Sequence, residues 1–196
     1  FSLVSSTLAR LSEIDPGGRY SNRPFPSLVD IFLGWINNTQ TTLTERIQII
    51  EDVLLDRHPK ITWKLLIALL PNNTNFTSGI NKPIYRDWAI ETERTVLVSE
   101  YYAYISRIEK LLFEEAEKDF DERFLDLLTN IGKYDDEQQK EFANYLKNIN
   151  IETLSATTRQ KATNKLREFI SRNREFPDAK WAEDDEFLNQ LEEIYK

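Results

Sequence analysis

The stretch from Leu97 to Leu128, LVSEYYAYISRIEKLLFEEAEKDFDERFLDLL, decides the fold class. Its apolar residues are Leu97, Tyr101, Tyr104, Ile105, Ile108, Leu111 and Leu112, then Phe120, Phe124, Leu127 and Leu128. They recur at steps of three and four, which lines one side of a 3.6-residue helix; a half-buried strand would alternate instead. The pattern predicts a long helix from about Trp88 to Lys118, followed by a second one.

The same periodicity runs outward in both directions. Upstream, Val4, Leu8 and Leu11 form a first stripe, stopped by the turn cluster Asp15-Pro16-Gly17-Gly18. Pro26 or Ser27 opens a helix carrying Leu28, Ile31, Phe32 and Trp35. Thr42 or Thr44 caps the next, with Ile47, Ile50 and Leu54, which ends at His58-Pro59. A short helix from Lys60 to Leu70 carries Ile61, Leu65, Leu66 and Leu69, and Pro71 closes it. Downstream come Phe142, Tyr145, Leu146 and Ile149, then Ala162, Leu166, Phe169 and Ile170 up to Phe176-Pro177, and finally Trp181, Phe187 or Leu188, Leu191, Ile194 and Tyr195. The expected fold is all-α: an irregular α-solenoid of HEAT-like helix pairs, suggested by the His58-Pro59 turn between short amphipathic helices, or a multi-helix bundle. Residues 1–196 read as a single all-α segment, with candidate sub-units 1–71 and 88–196 joined by the loop 72–87.

Composition narrows the function classes. No run of eighteen apolar residues occurs, so no transmembrane span is expected, and Phe1-Ser2-Leu3-Val4 lacks the basic lead-in of a signal peptide. Cysteine is absent, which removes disulfides and thiolate metal sites and suggests a cytoplasmic protein. A net charge of −8 argues against broad attraction to nucleic acid or anionic lipid. Methionine is also absent, and the chain stops within an amphipathic pattern, so a piece of a larger protein is expected.

The catalytic inventory is thin. His58 is the one histidine, so no site needing two imidazoles can form. Its position predicts that it favours the exposed carbonyls at the end of a helix. Acidic residues come in runs, Glu114 to Glu122 and Glu183 to Glu186, which read as solvated faces or helix starts rather than as an acid–base pair in unlike environments. Five glycines cannot supply a phosphate-cradling loop, and no nucleotide-binding or nucleophile-elbow motif is present. The expectation is a chain without enzyme activity and without a cofactor or metal.

Two stretches suit binding. Lys82-Pro83-Ile84-Tyr85-Arg86-Asp87-Trp88 combines a φ-fixing proline with two aromatics and an arginine, the residue types enriched at protein interfaces. Lys82, Tyr85, Arg86 and Trp88 are therefore candidate partner contacts, or anchors of the loop on its own domain. From Arg159 to Arg174 six basic residues face only Glu168, and Lys161, Lys165 and Arg172 share a helical face that a phosphate backbone would suit. The same charges would also complement the acidic helix that follows.

Several segments taken together carry a resemblance. They are Leu8-Ala9-Arg10-Leu11-Ser12-Glu13-Ile14-Asp15-Pro16-Gly17-Gly18 with Ser21-Asn22-Arg23-Pro24; Trp63-Lys64-Leu65-Leu66 with Leu69-Leu70-Pro71; the Lys82 to Trp88 loop; and Phe176-Pro177-Asp178-Ala179 with Trp181-Ala182. The chain resembles helical regions inside large bacterial multidomain proteins, among them NTPase-type defence sensors whose helical arrays detect a trigger. The resemblance implies a protein–protein interaction or sensor scaffold, with another protein or other domains of the same chain as partner. The alternative expectation is a nucleic-acid-binding module using the 159–174 helix.

Overall fold

In the computed structural model, which describes residues 1–20, 22–35, 39–71, 95–134, 136–148 and 153–195, every regular element among the described residues is helical. The chain divides into two units, Phe1–Leu111 and Leu112–Lys196. The candidate junction at 72–87 lies outside the described residues.

The first unit begins with α1 (Ser2–Glu13) and α2 (Pro24–Phe32), which pack together. α1 buries Ser5 and Ala9, while Val4 and Leu11 are exposed, against the expected Val4–Leu8–Leu11 stripe. Small side chains let the helices approach closely, and the Ser5 hydroxyl is satisfied by the Phe1 carbonyl at 3.1 Å. α2 starts two residues before Pro26, because Pro24 can fill the first helical position, where no N–H is needed. Arg23, just ahead of it, pairs with Asp15 and donates to the Gly18 carbonyl at 3.2 Å, tying down the connection. Gly17 there has φ 82°, a conformation that suits glycine.

The next helical run comprises α3 (Leu43–Ile49), a π-helical turn (Ile50–Leu54) and α4 (Leu55–Arg57). Thr42 caps it in a full capping box: its side chain accepts from the Glu45 N–H, and Glu45 accepts from the Thr42 N–H at 2.8 Å. The buried stripe Arg46, Ile50, Leu54 and His58 repeats in fours. Such a stripe drifts by roughly 40° per step around a regular α-helix. The wider π turn takes up that drift and keeps all four on one side. α5 (Pro59–Leu69) then buries Ile61, Leu65, Leu66 and Leu69 as the periodicity predicts. Thr62 seals the corner, its hydroxyl donating toward the carbonyls of Leu54 and His58, each at 2.8 Å.

The division between the units falls within α6 (Val98–Ala116). Tyr104, Ile105, Ile108, Leu111 and Leu112 are buried as expected, but Leu97 is 60% exposed. Within the first unit, the Tyr104 hydroxyl donates to the Phe32 carbonyl at 2.7 Å, and Arg46 donates to the Leu33 carbonyl at 2.6 Å. Both close the C-terminus of α2, whose last carbonyls have no helical acceptor role to fill. Gly34 sits where this packing is tightest: an added Cβ would lie 2.7 Å from Tyr104 Cδ1 and 3.2 Å from Tyr101 Cδ2. We expect Gly34→Ala to destabilise this unit by about 1–3 kcal/mol, the usual cost of overpacking, in urea unfolding followed by circular dichroism. An unchanged midpoint would show that the rings yield freely.

The second unit contains the 3₁₀ turn Glu117–Asp119, α7 (Phe120–Thr129), the 3₁₀ turn Ile131–Lys133, α8 (Asp136–Asn148), α9 (Ala156–Glu175) and α10 (Asp185–Tyr195). α9 packs on α7 and α10, and α8 on α10. Phe113, Tyr134, Phe142 and Tyr145 form an aromatic cluster, with Phe113 stacked on Phe142 at 5.6 Å between centroids. Ser155 caps α9 by accepting from the Thr158 N–H, and Asp184 caps α10 by accepting from the Phe187 N–H at 2.8 Å. The acidic runs are therefore not uniformly solvated. Glu115 is buried and pairs with Lys118 and Arg123. Glu183 accepts from Gln139 at 2.9 Å, and burial raises its carboxyl above the ordinary value. Trp181, expected in the last core stripe, is 47% exposed, while Phe187 and Leu188 are both buried.

Candidate functional site

α3 and α6 of the first unit enclose a groove of about 280 Å³. Buried Leu43 and Tyr104 contribute apolar floor, with Ile47 and Ala103 beside them, and Glu100 and Arg107 bring charge to the lining. The groove face of α6 follows from spacing: Glu100, Ala103, Tyr104 and Arg107 recur at three and four residues. Arg107 is held by Glu51, its Nε donating at 2.7 Å, so a cation is fixed at the groove rather than left to wander. Glu100 accepts from the Leu97 N–H at 3.1 Å and thereby caps α6. Leu97 lies one turn before Glu100 on the same face, and Leu97, Val98 and Tyr102 are exposed by 60%, 72% and 63%. Exposed Leu97 therefore adjoins the groove at the start of α6, while Val98 and Tyr102 lie on other faces of the helix.

A second constellation surrounds His58. The sequence placed this residue at a helix end, facing carbonyls. Instead its ring is buried, with Nδ1 2.9 Å from Glu13 Oε1 and Nε2 3.3 Å from Ser6 Oγ. Packing of α1 against the π turn and α5 brings a hydroxyl and a carboxylate to the ring. Hydrogen bonds from His58 and then Arg10 hold the Glu13 carboxyl below the ordinary carboxylate range. Glu13 is thus ionised at neutral pH and has only acceptor atoms to offer.

The basic helix divides its charges. Lys161 and Arg172 are exposed and Lys165 is half-buried on α9. The Arg172 guanidinium lies 4.6 Å over the Trp181 ring, a cation–π contact. Arg174 donates to Asn189 at 2.8 Å and to Glu192 at 2.7 Å on α10. Part of the basic stretch therefore complements the acidic helix that follows. Lys82, Tyr85, Arg86 and Trp88 lie outside the described residues.

Comparison of the chain with protein-family models, curated proteins and solved structures finds no match. Among the described residues no group of three histidine or acidic side chains converges as a metal site would require. No helix among them is long and apolar enough to cross a membrane.

The groove escaped sequence reading because its residues carry the same apolar period as core. Periodicity also assigned Leu97 inward, although it is exposed just ahead of α6. The Ser6–Glu13–His58 grouping had no sequence signal, since Ser6 and His58 are 52 residues apart and nothing local predicts that α1 meets the α4–α5 corner.

Proposed function

We propose that this chain is a helical protein-interaction module whose contact surface is the α3–α6 groove of the first unit. The supporting observation is the combination of an apolar recess with a fixed cation and the exposed aliphatic side chain of Leu97 beside it. At about 280 Å³ the recess has room for one or two side chains of a partner; small-molecule clefts are mostly larger. The partner chemistry that fits is an amphipathic helix, placing an apolar residue over Leu43 and Tyr104 and an acceptor near Arg107. HEAT-like stacking of helix pairs would present grooves of this kind in series, consistent with a scaffold or sensor role within a larger bacterial protein.

A displayed library of amphipathic helical peptides selected against the chain tests this reading. Selected peptides should lose at least tenfold in affinity with Ala103→Arg, equivalent to about 1.4 kcal/mol. Ala103 is exposed, so the variant should fill the groove without disturbing the core. Peptides indifferent to this change would remove the groove from the proposal. Single-stranded oligonucleotide binding that weakens steeply with salt and is lost with Lys161→Glu and Lys165→Glu would replace it with a nucleic-acid role.

A further inference from the structure

Four of the five hydroxyl side chains on α1 show two behaviours. Ser5, Thr7 and Ser12 each turn back onto the carbonyl four residues earlier, at 3.1, 2.8 and 2.7 Å, as helical Ser and Thr commonly do. Ser6 turns away from its helix to the His58 ring. Because the Glu13 carboxylate can only accept, Nδ1 of His58 carries the proton it donates to Glu13. In the neutral ring Nε2 is then the acceptor, and the Ser6 O–H points its proton at it. A hydroxyl on a base, with the base oriented by a third group, is the arrangement that activates a serine. Ser6 is half-buried, with Leu3 on the preceding turn 80% exposed, so its surroundings include an apolar surface open to solvent.

We propose that Ser6 is an acyl-accepting nucleophile, with His58 as its general base and Glu13 as the residue that positions the ring. The substrate class is an activated ester with a small apolar acyl group. Ser6 Oγ forms a bond to the carbonyl carbon while its proton passes to His58 Nε2. The ester C–O bond then breaks, the departing oxygen takes that proton, and the products are acyl-Ser6 and a free alcohol. This activity is independent of partner binding at the α3–α6 groove.

The test is incubation of the whole chain with p-nitrophenyl acetate, following nitrophenol release and mapping the acetyl group by mass spectrometry. One acetyl group on the peptide containing Ser6 is expected, and Ser6→Ala should abolish it while circular dichroism stays unchanged. His58→Gln should slow labelling by about 100-fold or more, the ordinary contribution of a general base. Since the chain has one histidine, its ¹⁵N resonances report the tautomer directly. Glu13→Gln should shift that ring away from the Nδ1–H form and slow labelling. Acetyl groups confined to lysines or the amino terminus of the unmutated chain, or nitrophenol release unaffected by Ser6→Ala, would overturn the proposal. So would a ring found in the Nε2–H form.

Discussion

Replacing Arg46 by alanine is expected to lower the stability of the Phe1–Leu111 unit by about 2–5 kcal/mol, the range for truncating a large, fully buried side chain. Arg46 has no exposed surface, and it heads the fully buried side chains by volume. Its guanidinium donates to the Leu33 carbonyl at 2.6 Å and to the Thr39 hydroxyl at 3.2 Å. Burial lowers its proton affinity below the ordinary value, yet a guanidinium stays charged at neutral pH. Truncation therefore strands the α2 C-terminal carbonyl and opens a cavity the length of the side chain. Arg46→Met separates these effects, because it keeps most of the volume and removes the donors. Urea unfolding should place it between the parent chain and Arg46→Ala. Equal losses for the two variants would assign the whole effect to hydrogen bonding, and a loss under about 1 kcal/mol for Arg46→Ala would show that water replaces the guanidinium freely.

In the second unit the largest effect is expected at Phe142. It is fully buried, stacked on Phe113 at 5.6 Å, tilted against Tyr134 at 5.7 Å and near Tyr145 at 6.4 Å. Phe142→Ala should cost about 3–5 kcal/mol, combining lost transfer energy with the cavity left behind. Phe142→Leu refills part of the space and should recover part of the loss. Hydrogen exchange resolved to peptides checks the location: protection should fall across α7, α8 and α10, which carry the cluster or pack on α8. Unchanged exchange in those helices would mean that the aromatic cluster does not hold the unit together.

The sequence marked helices well where large apolar residues recur at threes and fours. The stripe of α6 from Tyr104 to Leu112 and that of α5 from Ile61 to Leu69 are both buried as spacing predicts. Punctuation was legible where its chemistry is local: Thr42 with Glu45 forms the capping box, and α9 stops before Phe176-Pro177. It misled at the start of α2, which was read at Pro26 or Ser27 and begins at Pro24. It also misled where a helix packs through small residues, as α1 does through Ser5 and Ala9.

Fold class, the absence of cysteine chemistry and the single imidazole were determined by the sequence itself, because composition and a 3.6-residue period are properties of the chain before it folds. Tertiary structure alone decided what His58 does, that Glu115 is buried among cations, and which apolar residues form a groove. These depend on which helices meet. A pair such as Ser6 and His58, or Leu43 and Tyr104, becomes a site only when packing cancels a long sequence separation, and hydrophobic period carries no information about the identity of the neighbour.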